Sequence, residues 1–203
     1  DIAIKNFVQA AARPIRLRPI YSGGISMSKK VLIISGSPRK GGNSDILCDE
    51  FAKGAKEAGH QVEKVRLQEL TVKSCMACYA CKKTSACVQK DDMTELLEKL
   101  ISADVLVLAT PVYFYSMDGQ MKTMIDRTLP CYTEISNKDV YFIATAAAGK
   151  CAMERTMDSL RGFTDCLPGA KVKGLIYGEG VYQKGEVTFT KAMKEAFMAG
   201  KTI

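Results

Sequence analysis

Tryptophan is absent from the 203 residues, histidine occurs once, and proline only six times. With no indole available, any aromatic face must come from the eight tyrosines and seven phenylalanines. One histidine excludes a His-rich metal site and makes histidine acid/base catalysis depend on a single residue. No stretch approaches the run of about 18 apolar residues that a membrane span needs. The chain is also short of acid, with 22 Asp and Glu against 29 Lys and Arg, for a formal charge of +7. At 47% apolar and 25% charged residues it is neither disordered nor fibrous. Its length suits one globular domain with a sizeable core, so the eight cysteines are not needed as staples. Four of them (Cys48, Cys131, Cys151, Cys166) are scattered and four crowd together, a pattern pointing to a metal or redox site in a reducing, cytoplasmic setting.

The basic excess is uneven. Residues 1–26 carry Lys5, Arg13, Arg16 and Arg18 against Asp1; without them the charge falls to +4, from 25 basic and 21 acidic residues. Pro14 and Pro19 prevent a long helix there, and Gly23-Gly24 ends the segment. An arginine-rich targeting or nucleic-acid arm is one reading. An upstream extension ahead of Met27 is the simpler one, so no nucleic-acid partner is expected. The domain proper is expected over 27–203.

From Met27 onward strand and helix patterns alternate. Continuous β-branched or apolar runs predict buried strands at 30–35, 104–109, 139–144 and 171–177, with an alternating one at 61–67. Helices are predicted at 43–58, 94–102, 116–129, 151–165 and 186–199, the first capped by Asn43 or Ser44 and stopped by Gly59. Five strands interleaved with helices imply an α/β doubly wound parallel sheet, ligands gathering at the strands' carboxyl ends. The one long interruption, 67–92 after strand two, holds the crowded cysteines. Loops of that length are functional or disordered.

The loop after strand one reads S-G-S-P-R-K-G-G-N-S at 35–44. Small residues let backbone N–H groups approach an anion. Hydroxyls of Ser35, Ser37 and Ser44 can donate to it, the following helix dipole favours it, and Arg39 can grip phosphate oxygens in fork fashion. It is not a P-loop, since Gly36 and Gly41 are followed by Gly42-Asn43 rather than Lys-Ser/Thr. It is not G-x-G-x-x-G either, since Ser37-Pro38 follows Gly36. A monophosphate held without Mg²⁺ is the expectation. After strand three, Thr110-Pro111-Val112-Tyr113-Phe114-Tyr115-Ser116 can offer a planar heterocycle a flat face and backbone donors. After strand four, Thr145-Ala146-Ala147-Ala148-Gly149 adds a small-residue floor. Phosphate donors, platform and floor at one sheet edge describe a flavin mononucleotide (FMN) site.

These residues carry a resemblance. G-S-P-R-K-G-G-N-S at 36–44 with T-P-V-Y-F-Y-S-M-D-G-Q-M-K-T-M-I-D-R at 110–127 resembles the NADPH-dependent FMN reductase family, especially its iron–sulfur flavoproteins. The likeness runs from Met27 through G-V-Y-Q-K-G-E-V at 180–187. It implies a flavodoxin-like five-stranded sheet in the order 2-1-3-4-5. It further implies FMN held by Ser35, Ser37, Pro38, Arg39, Asn43 and Ser44 at the phosphate and by Pro111, Val112, Tyr113, Phe114 and Tyr115 along the ring. Thr145 to Gly149 would border that ring. Homodimers or homotetramers, with the flavin near a subunit interface, are implied too.

Cys75, Cys78, Cys81 and Cys87 form C-x2-C-x2-C-x5-C. Closely spaced thiolates can wrap a cubane within one loop, and the iron–sulfur flavoproteins carry this kind of compact motif, so a [4Fe–4S] cluster is the favoured ligand. Lys82 and Lys83 could offset its charge, although solvated lysines explain them as simply. Structural zinc prefers two C-x-x-C pairs further apart, and disulfides would be cramped. A cluster-free relative with bare thiols remains open. The resulting expectation is an FMN-dependent oxidoreductase passing electrons from NAD(P)H or ferredoxin to a small-molecule acceptor, a quinone or oxygen species, with no catalytic side chain of its own. A cluster-free NAD(P)H-dependent FMN or quinone reductase and a non-catalytic flavodoxin-like carrier are the alternatives. His60, just before strand two, reads as a solvated turn residue.

Overall fold

The computed structural model describes residues 28–203; the basic segment at 1–26 lies outside the described residues. Three strands form the centre: β1 (Lys30–Ser35), β3 (Val105–Tyr113) and β5 (Asp139–Thr145), with β2 (Gln61–Arg66) and β6 (Lys171–Gly178) outside them. All five are parallel, ordered β2-β1-β3-β5-β6. The two-residue β4 (Ser116–Met117) pairs antiparallel with the end of β3. The order expected from sequence therefore holds for the parallel strands, and only the labels shift to admit the short extra strand.

Side-chain alternation sorts the core into two halves. Val31 and Ile33 of β1, Val107 of β3 and Ile143 of β5 face one layer. Leu32, Ile34, Leu106, Leu108 and Phe142 face the other. In-register pairing of Ile33 with Val107, and of Val107 with Tyr141, keeps each face continuous, because a slip of one residue would reverse every side chain. The first layer is covered by α1 (Asn43–Glu57) and α6 (Lys191–Lys201). The second is covered by α3 (Met93–Ser102), α4 (Gly119–Asp126) and α5 (Lys150–Asp165), and α2 (Cys81–Thr84) is a single turn in the long loop. No helix among the described residues is long and apolar enough to cross a membrane.

Several boundaries moved. Strand three runs four residues past its expected end, through Pro111 to Tyr113, because β4 folds back onto it; the helix expected from 116 starts only at Gly119. Asp118 stops that helix from starting earlier, its carboxylate accepting the Gln120 N–H as a cap. His60 is buried, not solvated: Nδ1 accepts from the Lys29 N–H, and Nε2 lies 3.0 Å from the Ile203 carbonyl. The ring joins the entry of β1 to the chain's last residue, so Nε2 carries the proton.

Helices α1 and α6 touch backbone to backbone. A methyl group on Gly54 would lie 2.1 Å from the Phe197 carbonyl oxygen, and one on Gly200 2.1 Å from that of Phe51. Alanine at Gly200 gains about 1 kcal/mol of helix propensity, but it must push two backbones apart. Gly200→Ala is expected to lose about 1–2 kcal/mol net in urea denaturation. Gly162→Ala in α5, where no atom lies within 4 Å, should gain up to about 1 kcal/mol.

Candidate functional site

The carboxyl ends of β1, β3 and β5 open onto a cavity of about 190 Å³. Its walls include Ser37, Arg39, Asn43 and Ser44 from the first loop, Pro111, Val112 and Tyr113 from β3, and Thr145 from β5. Helix α1 begins against it. Its cap residue Gly42 is extended and no side chain caps the helix, so the first N–H groups face the cavity as free donors. Arg39 and Lys184 line the same walls. Two cations, two serine hydroxyls and a helix start thus line one cavity, a cradle whose chemistry suits an anion.

The cradle is held from beneath by Asp45, whose side chain is 3% exposed. It accepts from the Gly41 N–H at 2.8 Å and the Ser35 hydroxyl at 3.1 Å. Lys64 Nζ lies 3.2 Å and Arg66 Nε 3.5 Å away. Burial pushes the Asp45 carboxyl up, but the Gly41 N–H, Lys64 and Ser35 outweigh it and leave it below its ordinary value. Ser35 is thus spent on the scaffold rather than in the cavity.

Asn43 also has a second duty. Its amide donates to the Gln183 carbonyl at 2.9 Å and accepts from the N–H groups of Gly185 at 3.0 Å and Val187 at 3.3 Å. This pins a loop that brings Val181, Tyr182 and Lys184 to the cavity, three residues whose role sequence reasoning missed. The only signal was that 180–187 belonged to the family-like pattern. Ala146 and Ala147 supply the floor, and Gly149 lies beyond it at the start of α5.

Other expected residues stand apart. Pro38 lines a separate hollow with Tyr113 and Asp118. Phe114 and Tyr115 form the two-residue turn between β3 and β4, with φ of 50° and 64°. Positive φ at both central residues suits this kind of hairpin, but Asn and Gly take it far more readily than aromatics. Phe114 is consequently thrown fully into solvent, and Tyr113 and Tyr115 are about half exposed. Arg155 lies over the Tyr115 ring, 5.6 Å from its centre.

The four clustered cysteines line one hollow with Tyr79, Arg127 and Pro130. Ala77 and Tyr79 adopt positive φ, curling the segment so that Cys75, Cys78 and Cys81 reach the same space. Among the described residues no three His, Cys, Asp or Glu side chains converge tightly enough for a single metal ion. The hollow is about 20 Å³, room for about one water, so holding a four-iron cluster requires the thiols to swing outward. Their exposed or half-exposed side chains leave room for that. Cys48 and Cys131 are buried, and burial pushes both thiols up.

The neck of this loop is tightly closed. Thr71 N–H donates to Asp92 at 2.6 Å and Lys73 N–H to Asp91 at 3.0 Å. Arg127, just past α4, completes it with a bidentate pair to Asp91 at 2.7 and 2.8 Å and a bond to the Lys73 carbonyl at 2.6 Å. Hydrogen bonds from Arg127 outweigh burial and hold the Asp91 carboxyl at about 2. This stabilisation is complete above the unfolded value near 3.9 and is lost as pH falls through about 2. Asp91→Asn is expected to cost about 2–3 kcal/mol at pH 7 in urea denaturation of the metal-free protein. The gap to the parent should shrink to about half by pH 3.

Comparison with known proteins agrees with this geometry. A family model described as NADPH-dependent FMN reductase matches residues 29–175. An iron–sulfur flavoprotein of Archaeoglobus fulgidus is 42% identical over 101 residues, 50% of this chain and 46% of that protein. One from Methanocaldococcus jannaschii is 33% identical over 136 residues, 66% of this chain and 70% of that protein. The match thus spans about half the length of the first relative and rather more of the second. Among solved structures, an NAD(P)H:quinone oxidoreductase from Methanothermobacter marburgensis superposes with a TM-score of 0.68 at 16% identity, over 86% of this chain and 95% of that one. An FMN-dependent NADH-azoreductase from Bacillus anthracis, in complex with FMN, gives 0.66 at 17% identity, over 85% and 97%. At such identities these structures speak for the fold.

Proposed function

Since the chain belongs to the NADPH-dependent FMN reductase family, in its iron–sulfur flavoprotein branch, we propose that it is a flavin-dependent oxidoreductase that moves electrons through FMN and a [4Fe–4S] cluster. The observation that carries this reading is the uncapped start of α1 facing a cavity with Arg39 and Lys184. The N–H groups of that turn, with Ser37 and Ser44, hold the FMN phosphate. Pro111 to Tyr113 support one side of the ring, and Thr145 to Ala147 lie beside it. Cys75, Cys78, Cys81 and Cys87 hold the cluster. Bound FMN supplies hydride acceptance and single-electron release, and a bound cluster supplies single-electron passage. The protein's own part is to position both groups and shield them, which requires no catalytic side chain.

The donor in this reading is NAD(P)H or ferredoxin, and the acceptor a small molecule such as a quinone or an oxygen species. The chain acts as a homodimer or homotetramer. Phe114, fully exposed, and Phe189, 93% exposed, leave apolar surface of the kind that a second copy covers.

Anaerobic purification followed by absorbance spectra and flavin, iron and sulfide assays tests both groups. Flavin with four irons per chain is expected; protein without flavin would sink the reading, and flavin without iron or sulfide would remove the cluster. Cys78→Ala should lose iron and retain FMN. Asn43→Ala, which frees the loop carrying Lys184, should weaken FMN binding about tenfold in a fluorescence titration, or about 1.4 kcal/mol.

A further inference from the structure

We propose that Arg127 is a positioning residue for the cluster: its Nε–H donates to a cluster sulfur, an inorganic sulfide or a cysteine thiolate, and so favours the reduced cluster. The inference rests on the cluster reading above. The Arg127 side chain is 1% exposed, and its two terminal nitrogens are occupied by Asp91 and the Lys73 carbonyl. Nε is buried as well and has no hydrogen-bond partner among the described residues. Leaving a charged donor in that state costs more than leaving a neutral one, so an acceptor is called for on its free side.

The surroundings indicate which acceptor. Arg127 lines the hollow that the four cysteines share. Cys87, the last cysteine of the motif, lines that hollow together with Arg127. A thiolate or bridging sulfide has lone pairs to spare and a negative charge to share. The bidentate Asp91 pair fixes the guanidinium plane, so Nε–H keeps one direction unless two charge-assisted bonds break. Each electron added to the cluster increases the negative charge on its sulfurs. A donor aimed at them is therefore stronger in the reduced state, and hydrogen bonds to sulfur are among the factors that set cluster potentials.

The test is a redox titration of the cluster, followed by electron paramagnetic resonance, in the anaerobically purified holoprotein and two variants. Arg127→Lys keeps a positive charge for Asp91 but loses the planar fork and its inner N–H. The double variant Arg127→Met with Asp91→Leu replaces the buried pair by apolar groups, a change that folded proteins often tolerate. Both should keep four irons per chain. Lysine should lower the equilibrium constant for cluster reduction about tenfold, a shift of about 59 mV to lower potential for one electron, and the double variant at least as much. A variant with full iron and an unchanged potential overturns the inference and leaves the cluster reading intact. Wild-type protein without iron and sulfide overturns both. A measurement on unmutated protein guards against misfolded variants: with arginine labelled by ¹⁵N at Nε, pulsed resonance of the reduced cluster should detect coupling to an arginine nitrogen. Absence of that coupling also overturns the inference.

Discussion

Parallel pairing of β1, β3 and β5 is the constraint on which the rest of the molecule depends. Parallel neighbours need a crossover between them, and each crossover helix must cover a sheet face. All three strands therefore end at the same edge, and the loops that leave them meet there. Chain connectivity alone brings residues near 40, 112 and 146 around one cavity. Their separation in sequence is a consequence of the crossovers, not an obstacle to the site.

Polar groups at that edge are arranged in two levels. The upper level faces the cavity, with Ser37, Ser44, Arg39, Lys184 and the open first turn of α1. The lower level carries no ligand and fixes the upper one. Asp45 ties Ser35 and the Gly41 N–H to the lysine and arginine of β2, while Asn43 anchors the loop that carries Lys184. Side chains that a motif would assign to a phosphate are here divided between lining the cavity and supporting its walls. The cysteine loop follows the same plan, its thiols facing a hollow while Asp91, Asp92 and Arg127 close its neck.

Helix α4 relates the two regions. It begins after the exposed hairpin of Phe114 and Tyr115 and ends just before Arg127. Eight residues of helix span about 12 Å. The β3–β4 hairpin and the cysteine hollow thus sit at opposite ends of one short rigid element. Asp118, buried and hydrogen-bonded to Thr110, fixes its first turn, and the Asp91 pair fixes its exit.

By itself the sequence determined the alternation of strands and helices, the small-residue loop ahead of α1 and the four-cysteine motif, while the strand order came with the family resemblance. The first three are written in local pattern: β-branched runs, small residues before a helix start, and thiols a few residues apart. Tertiary structure decided what local pattern cannot express. It sent the Ser35 hydroxyl to Asp45 and the Asn43 amide to a loop 140 residues away, because buried polar atoms must find partners wherever packing places them. It turned an expected flat aromatic loop into a hairpin whose tip faces outward, since β4 could pair with the end of β3. It buried the lone histidine between the entry of β1 and Ile203. It also set Arg127 beside cysteines some 40 residues earlier in the chain, with one donor left over.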